Sequence, residues 1–554
     1  MKVNFYWHRY KYLPYEQTLA ARELSILLGQ EPIYRNNGLS VESANGWKSH
    51  AQRMTYFREA VADDGSRVVP LQAVLEISTK NGGHSIFSDV DTTQEFPNGD
   101  VLPVQNHQIL SRQSTRYSAH GLHEYRGKFN PQIVRAIGNM LGLQPGDWLL
   151  DPFGGSGTTL LEAIHMGWNA ISVDINPLGV YIAQAKIAAM TVPIEELRSC
   201  VNVLSQRIGE RFKNTPFDQA FTEDEIRSIG GKDWQDRLPG FEYLNAWFTR
   251  SVLTQLAAIL DEISLIPSEK IRLILRVILS DILREVSLQD PRDLRIRRRK
   301  FPAENAPAVS CYLDSVKSKI ETILRARQYI SEITTVQDAL LGDSRYCAST
   351  VRAHSKINNT LQFHAVITSP PYATALPYID TQRLSLVFLG LVSPNELRAM
   401  EKCLTGNREI TTQERLELED AIEDNAAGLP SECVLLCRKL KESLDKEKDG
   451  FRRQNVPALL YQYLVDMSLM FKHTSPLLRT NAPFALVVGK NQTRLGEQTF
   501  VIDTPHLLAV LAKHNGFALQ EMLELDTYQR FDVHQGNSIR SEALVVLKKV
   551  NNAS

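Results

Sequence analysis

Two short stretches carry residue types that chemistry would need. Thr368, Ser369, Pro370, Pro371 and Tyr372 follow a run of small and β-branched residues at 365–367. Two prolines stop a strand and set the chain in a stiff, extended turn. Such a turn is either a plain terminator or a rigid cradle for something planar, built from a hydroxyl, outward carbonyls and an aromatic ring. The second stretch, DPFGGSGTTLLEA from Asp151, follows a short apolar segment and opens a helical pattern. Gly155 and Gly157 permit tight curvature and close approach of a ligand, and the helix beyond presents free N–H groups. No Gly-Lys-Ser/Thr follows, which excludes a P-loop. Asp151 stands before the glycines, where a carboxylate sits badly with pyrophosphate and well with a cationic or amino-bearing ligand.

Two further acids end strand-like segments: Asp174 in SVDIN and Asp343 in LLGDSR. Asp174 falls where an acidic residue grips ribose hydroxyls in nucleotide-binding βαβ units. Either acid alone reads as a helix cap or turn residue. Together with the glycine loop, three acids at three strand ends suit one ligand with an amine, a ribose and an adenine. S-adenosylmethionine fits that description; NAD fits it poorly.

The elements that must position these groups show in the pattern. GDWLLDPF and NAISVDIN read as strands, with a helix between them that stops at Gly167 and another that starts at Pro177. Strand, glycine turn, helix, strand begins a parallel doubly wound sheet. Residues 191–330 break the rhythm with amphipathic helices such as IRLILRVILSDILREV. The alternation resumes at LLGDSR, HAVITSPPY, PFALVVGKN, the helix TPHLLAVLAKHNG and SEALVVLKK, with a helical, charged insert near 400–455. We therefore expect an α/β core in two parts, 111–190 and 331–554, separated by a helical insertion at 191–330. Residues 1–110 form a small N-terminal α/β region, with a helix over 16–29. RVVPLQAVLEIST fits a strand or a helix, and SDVDTTQEFPNGDVLP reads as a connector.

The 554 residues, 43% hydrophobic and 23% charged with net charge -1, describe an ordinary globular chain with no global pull toward polyanions or membranes. The six scattered cysteines contain no CxxC pair and suit a reducing compartment. The N-terminus lacks a signal-peptide apolar core, and no run of about 18 uncharged apolar residues exists. We expect a cytoplasmic, nucleoid-associated bacterial protein with no membrane partner.

DPFGGSGTT and TSPPY together resemble the cofactor and catalytic motifs of the amino-group, S-adenosylmethionine-dependent DNA methyltransferases of the Rossmann-like superfamily. The upstream HGLHEYRGKFNPQIVRAI and the later strands ALVVGKN and SEALVVLKK are similar as well, so the likeness spans roughly 115–190 and 335–550. It implies that Phe153, Gly155 and Gly157 line the cofactor, Asp174 binds its ribose, Asp343 meets the adenine end, and Lys128 and Phe129 close over the methionine end. It also implies that Ser369 and the Pro370 carbonyl, in a loop stiffened by Pro371, accept hydrogen bonds from a target amine, while Tyr372 stacks on the extruded base. Ser rather than Asp or Asn before Pro-Pro points to cytosine N4, with adenine N6 as the alternative. Double-stranded DNA is the implied partner, in a restriction–modification or phage-defence setting with a cognate nuclease.

Two rivals stand beside this reading. A transfer-RNA guanine-N2 methyltransferase would explain an N-terminal RNA-binding region, but such enzymes usually carry Asp or Asn where Ser369 stands. A non-catalytic nucleic-acid-binding relative would show an eroded cofactor loop, and this one is intact. The helical 191–330 segment is the candidate target-recognition region. Its run DPRDLRIRRRK places Arg292, Arg295, Arg297, Arg298, Arg299 and Lys300 together, as a solvated loop or as a phosphate-contacting patch. Asp380, Gln382 and Arg383, just past the catalytic motif, either approach the target strand or open a core helix; His123 and Tyr125 are equally open. The thirteen histidines show no ligand spacing, so no metal is expected.

Overall fold

Asn-Pro pairs start two of the helices that flank the site. In a computed structural model of the chain, Asn130 and Asn176 cap the helices that begin at Pro131 and Pro177, each side chain accepting an N–H two residues on, while proline supplies the preset φ. The structure describes all residues except 9, 43–45, 81–92, 96–100, 104–113, 214, 216, 218, 291–296, 301–304, 355–359, 374–378, 409, 446, 527–540 and 551–554.

The chain begins with β1 (Lys2–Trp7), α1 (Pro14–Leu28), β2 (Ile33–Arg35), β3 (Gly38–Glu42), α2 (Trp47–Arg53), β4 (Phe57–Ala62), β5 (Arg67–Val68) and α3 (Leu71–Lys80). Its five strands form one sheet in the order β2-β3-β1-β4-β5. RVVPLQAVLEIST thus holds both a short strand and a helix. A hairpin of β6 (Thr93–Glu95) and β7 (Val101–Pro103) lies within the expected connector, most of which falls outside the described residues.

The second sheet takes the βα units seen in sequence: α4 (Pro131–Met140), β8 (Trp148–Asp151), α5 (Thr158–Met166), β9 (Asn169–Asp174) and α6 (Pro177–Thr191). The helical segment follows as α7 (Ile194–Arg211), α8 (Glu223–Gly230), α9 (Phe241–Asn245), α10 (Arg250–Ser264), α11 (Glu269–Val286) and α12 (Ala308–Arg327). The sheet resumes with β10 (Gln337–Leu341), α13 (Cys347–Arg352), β11 (Ala365–Thr368) and α14 (Arg383–Phe388). The charged insert is α15 (Leu397–Cys403), α16 (Thr412–Asp424), α17 (Ser431–Glu442) and α18 (Phe451–Gln454). Then come α19 (Val456–Thr474), β12 (Pro483–Gly489), the hairpin β13 (Asn491–Leu495) and β14 (Gln498–Ile502), α20 (Thr504–His514), β15 (Phe517–Asp526) and β16 (Ser541–Lys549).

The seven strands run β10-β9-β8-β11-β12-β16-β15. The first five are mutually parallel, and β16 runs antiparallel to both of its neighbours. Side chains of α4, α5 and α6 are buried against one face and those of α13, α19 and α20 against the other. This is a mostly parallel, doubly wound Rossmann-like fold. The helices α7–α12 bury their apolar stripes around a core of their own that continues into α6 and α14. Among the described residues no single helix is long and apolar enough to cross a membrane.

The N-terminal sheet shares a buried cluster with α4 and the main sheet, from Val3 and Leu24 to Ile137 and Leu544. Glu23 of α1 lies in that seam, fully buried, where its carboxylate accepts from Thr55 and from Asn139 Nδ2 at 2.8 Å. Burial pushes its carboxyl from 4.5 up to about 7. A group whose folded value is raised favours folding below its unfolded value, and that stability is lost as pH climbs through the folded one. Glu23→Gln is therefore expected to flatten a loss of unfolding free energy on the order of 3 kcal/mol between mildly acidic and mildly basic pH. Denaturant unfolding at pH 5 and pH 8 reads this; an equal slope in the variant would refute it.

Candidate active site

At β8 the strand order reverses, with β9 on one side and β11 on the other. Loops leaving the carboxyl ends of such strands diverge and open a crevice. A cavity of about 290 Å³ lies there, at the lower end of small-molecule sites. Its wall includes Lys128, Phe129, Phe153, Gly155, Asp174, Asp343, Ser369, Pro370, Pro371 and Tyr372. Sequence stretches more than 200 residues apart thus meet around one space. Asp151 and Gly157 do not reach that wall.

The glycine loop is held from below. Gly155 and Gly157 adopt φ of 48° and 74°, left-handed values that favour glycine. A Cβ on Gly157 would lie 2.6 Å from the Ala183 Cβ on α6, so the glycine also admits close helix packing. Buried Lys186 of α6 donates to the Ser156 carbonyl at 2.7 Å, and burial drives its ammonium far below the usual lysine range. Gly179 on α6 is packed so closely that a Cβ there would stand 2.8 Å from the Gly155 carbonyl. Gly179→Ala is expected to displace that carbonyl and weaken cofactor binding about tenfold, the scale of modest overpacking, without removing any contacting side chain. Titration calorimetry checks this, and unchanged affinity would contradict it.

The three acids differ in their engagement. Asp174 accepts the backbone N–H of Gly155 at 2.7 Å and of Asn176 at 2.8 Å, and burial raises its carboxyl above the usual range. A carboxylate offers about four acceptor positions, so two remain for ligand hydroxyls. Asp343 caps its turn by accepting Arg345 N at 2.9 Å. The Arg345 guanidinium grips the same carboxylate at 2.6–3.0 Å and also meets Asp466 at 3.2 Å. Asp151, expected to face the ligand, instead accepts Thr368 Oγ1 at 2.7 Å and Phe153 N at 3.1 Å. Its fully buried carboxyl is pushed up to about 6 by desolvation. It therefore ties the glycine loop to the strand that carries the Ser369–Tyr372 loop. Lys128 donates to the Thr115 and His120 carbonyls at 2.8 and 3.3 Å, and burial brings its ammonium down to about 7.

Ser369–Tyr372 leave β11 at its carboxyl end. Asn491, just past β12, donates its amide to the Ala373 carbonyl, and the Tyr372 hydroxyl meets the Glu542 carboxylate at the start of β16. Sequence reasoning passed over Glu542, Asn176 and Thr405, all on the cavity wall. Asn176 carried a signal in its Asn-Pro cap. Glu542 carried only an acid heading an apolar strand.

The basic run is not a uniform patch. Arg292 and Arg295 lie outside the described residues. Arg298 donates to the Ala246 carbonyl and lies 5.6 Å from the centre of the Trp247 ring. Arg299 donates to the carbonyls of Gln289 at 2.9 Å and Arg284 at 3.3 Å, tying the segment to the end of α11. Arg297 and Lys300 are exposed. Arg383 pairs with Asp380 at 3.0 Å and Glu401 at 3.3 Å, so its charge is already met within the protein. The histidines showed no ligand spacing, but among the described residues His120 and His165 form a buried group with Glu162. Glu162 there accepts Tyr117 at 2.8 Å, His120 at 2.7 Å, His165 at 3.0 Å and Arg135 at 2.9 Å. Protein donors fill its acceptor capacity.

Comparison with known proteins fits this geometry. The family described as DNA methylase (N6_N4_Mtase) matches residues 80–185. Type II methyltransferase M.BsoBI of Geobacillus stearothermophilus is 28% identical over 433 residues, 74% of this chain and 81% of that protein. Type II methyltransferase M.MjaII of Methanocaldococcus jannaschii is 35% identical over 115 residues, 21% of each chain. A tRNA (guanine(10)-N2)-dimethyltransferase of Methanothermobacter thermautotrophicus is 40% identical over only 52 residues, 9% of this chain and 16% of that one. Motifs, sheet order and these relatives together support the amino-group (N4-cytosine/N6-adenine) DNA methyltransferase family for this chain.

Proposed function

We propose that this protein is a site-specific type II DNA methyltransferase acting on the N4 amine of cytosine, with S-adenosylmethionine as methyl donor. The observation that carries the reading is the meeting of the Ser369–Tyr372 loop with Gly155 and Asp174 on one cavity. The wall suits the donor: Asp174 has acceptor positions left for ribose hydroxyls, Gly155 leaves the loop without a side chain, and Phe153 and Pro371 give apolar surface. Asp343, fixed by Arg345, suits the adenine end, and Lys128 and Phe129 the methionine end. When bound, the donor supplies an electrophilic methyl on sulfonium.

The chain's own work is orientation. An exocyclic amine is a poor nucleophile because its lone pair is delocalised into the ring. Ser369 Oγ and the Pro370 carbonyl accept its N–H bonds, bend it toward sp³ and aim the lone pair. Proline suits this loop because it offers a carbonyl with no competing N–H. A base paired in a duplex cannot reach these acceptors, so it is extruded and held against the Tyr372 ring. Positioning and preorganised dipoles then lower the barrier. Serine before Pro-Pro favours cytosine N4 over adenine N6. Among the described residues of the basic run, Arg297, Arg298 and Lys300 are exposed and fit phosphate contact. As in other type II systems, a cognate nuclease is the expected functional partner.

Incubation with tritiated-methyl donor and either duplex DNA or transfer RNA tests the substrate class. Label in DNA supports the proposal. Label confined to RNA overturns it in favour of the guanine-N2 reading, and no label in either favours a non-catalytic relative.

A further inference from the structure

Glu542 stands on the cavity wall beside the catalytic loop, on a strand far from it in sequence. Its register partner is Gly489 at the carboxyl end of β12. β16 is paired on both edges, with β12 and with β15, so the backbone carrying Glu542 is held in the sheet. Its carboxylate meets the Tyr372 hydroxyl. Burial raises its carboxyl above the usual range, partly offset by that hydroxyl. A carboxyl in a desolvated wall is costly unless it is hydrogen-bonded, and the Tyr372 hydroxyl supplies that bond.

Tyr372 is thereby held at several points. Pro370 and Pro371 stiffen the chain before it. Gly406, at φ 77°, is packed against its backbone, where a Cβ would stand 2.8 Å from the Tyr372 carbonyl. Asn491 fixes the carbonyl of the next residue, Ala373. These restraints set the backbone, the ring packs partly against the buried cluster around α19 and β12, and the hydroxyl contact to Glu542 adds a restraint at the far end of the ring. A ring that is to receive an extruded base gains from being fixed beforehand, because ordering then costs nothing at the moment of binding.

We propose that Glu542 is a positioning residue for base capture: it locks the Tyr372 ring as the platform on which the extruded base stacks. This rests on the reading of Tyr372 as the stacking residue. Without the lock the base is still bound but visits the acceptors of Ser369 and Pro370 less often, so the chemical step suffers more than donor binding.

The test is a mutant cycle in the full-length protein with Glu542→Ala, Glu542→Gln, Tyr372→Phe and the Ala/Phe double variant. Turnover on duplex DNA and donor affinity are measured for each. Glu542→Ala and Tyr372→Phe should each lower kcat about ten- to a hundredfold, the scale of losing a base–aromatic stack, with donor affinity unchanged. The double variant should be no worse than the worse single, since both remove one interaction. Glu542→Gln, which can still accept the hydroxyl, should recover most of the loss. A Glu542→Ala enzyme at wild-type kcat, losses that multiply in the double variant, or a parallel loss of donor binding would overturn the proposal. Failure of the wild type itself to methylate DNA would instead sink the functional reading on which it rests.

Discussion

Ser369→Ala is expected to lower methyl transfer by about 10²–10³-fold, the cost of deleting one preorganised hydrogen-bonding group from a reacting centre. The expected mechanism is specific. Ser369 lies on the cavity wall at the carboxyl end of β11, and its hydroxyl is one of two acceptors assigned to the target amine. The change removes a single oxygen and leaves Pro370, Pro371 and the Asp151–Thr368 tie in place. Donor affinity should therefore stay within about twofold of wild type, and the melting temperature should not move. The loss belongs in kcat, since the acceptor matters most as the nitrogen becomes tetrahedral. Equilibrium binding of the donor together with single-turnover transfer separates these. Lost donor binding, or transfer near the wild-type rate, would contradict the role.

The second large effect is expected at Asp174. Asp174→Ala removes the acceptors assigned to the ribose, and each hydrogen bond to a charged group contributes about 1.5–3 kcal/mol. Donor affinity should fall by about two to four orders of magnitude. Asp174 also accepts from Gly155 and Asn176, so part of this loss is loosening of the glycine loop. Asp174→Asn keeps one acceptor oxygen and should fall between the two. At saturating donor, kcat should recover to within about tenfold of wild type, because no contact to the target base is touched. A kcat defect that excess donor does not relieve would contradict the assignment and place Asp174 in the chemistry itself.

The parts of the site legible in sequence were those built from neighbours along the chain. The glycine loop, Asp174 and the proline that starts α6 all fall within one βαβ unit, whose geometry follows from local pattern. The course of the Ser369–Tyr372 loop was legible because two prolines after a β-branched run leave few conformations. What escaped depends on sheet order. Asp151 was read as facing a ligand, yet β8 and β11 are neighbours in the sheet and Thr368 takes its carboxylate, 217 residues on. Tyr372 and Glu542 are 170 residues apart and touch only because β16 inserts beside β12. Arg345 stood two residues from Asp343 in the sequence, but its second carboxylate partner, Asp466, comes from α19. The basic run was only partly legible for a related reason: a string of arginines gives charge density but not direction, and Arg298 and Arg299 donate to backbone carbonyls. His120 and His165 showed no spacing because they meet across Glu162 only once the 3₁₀ turn at Ser118–Gly121 packs on α5.

The most direct measurement is nucleoside mass spectrometry on duplex DNA after incubation with the purified protein and S-adenosylmethionine. The account predicts N4-methylcytosine, absent when the Ser369→Ala variant replaces the wild type. N6-methyladenine in its place would contradict the assignment of cytosine from Ser369, and unmodified DNA under donor-saturated conditions would contradict the claim that the cavity between β8 and β11 transfers a methyl group to DNA.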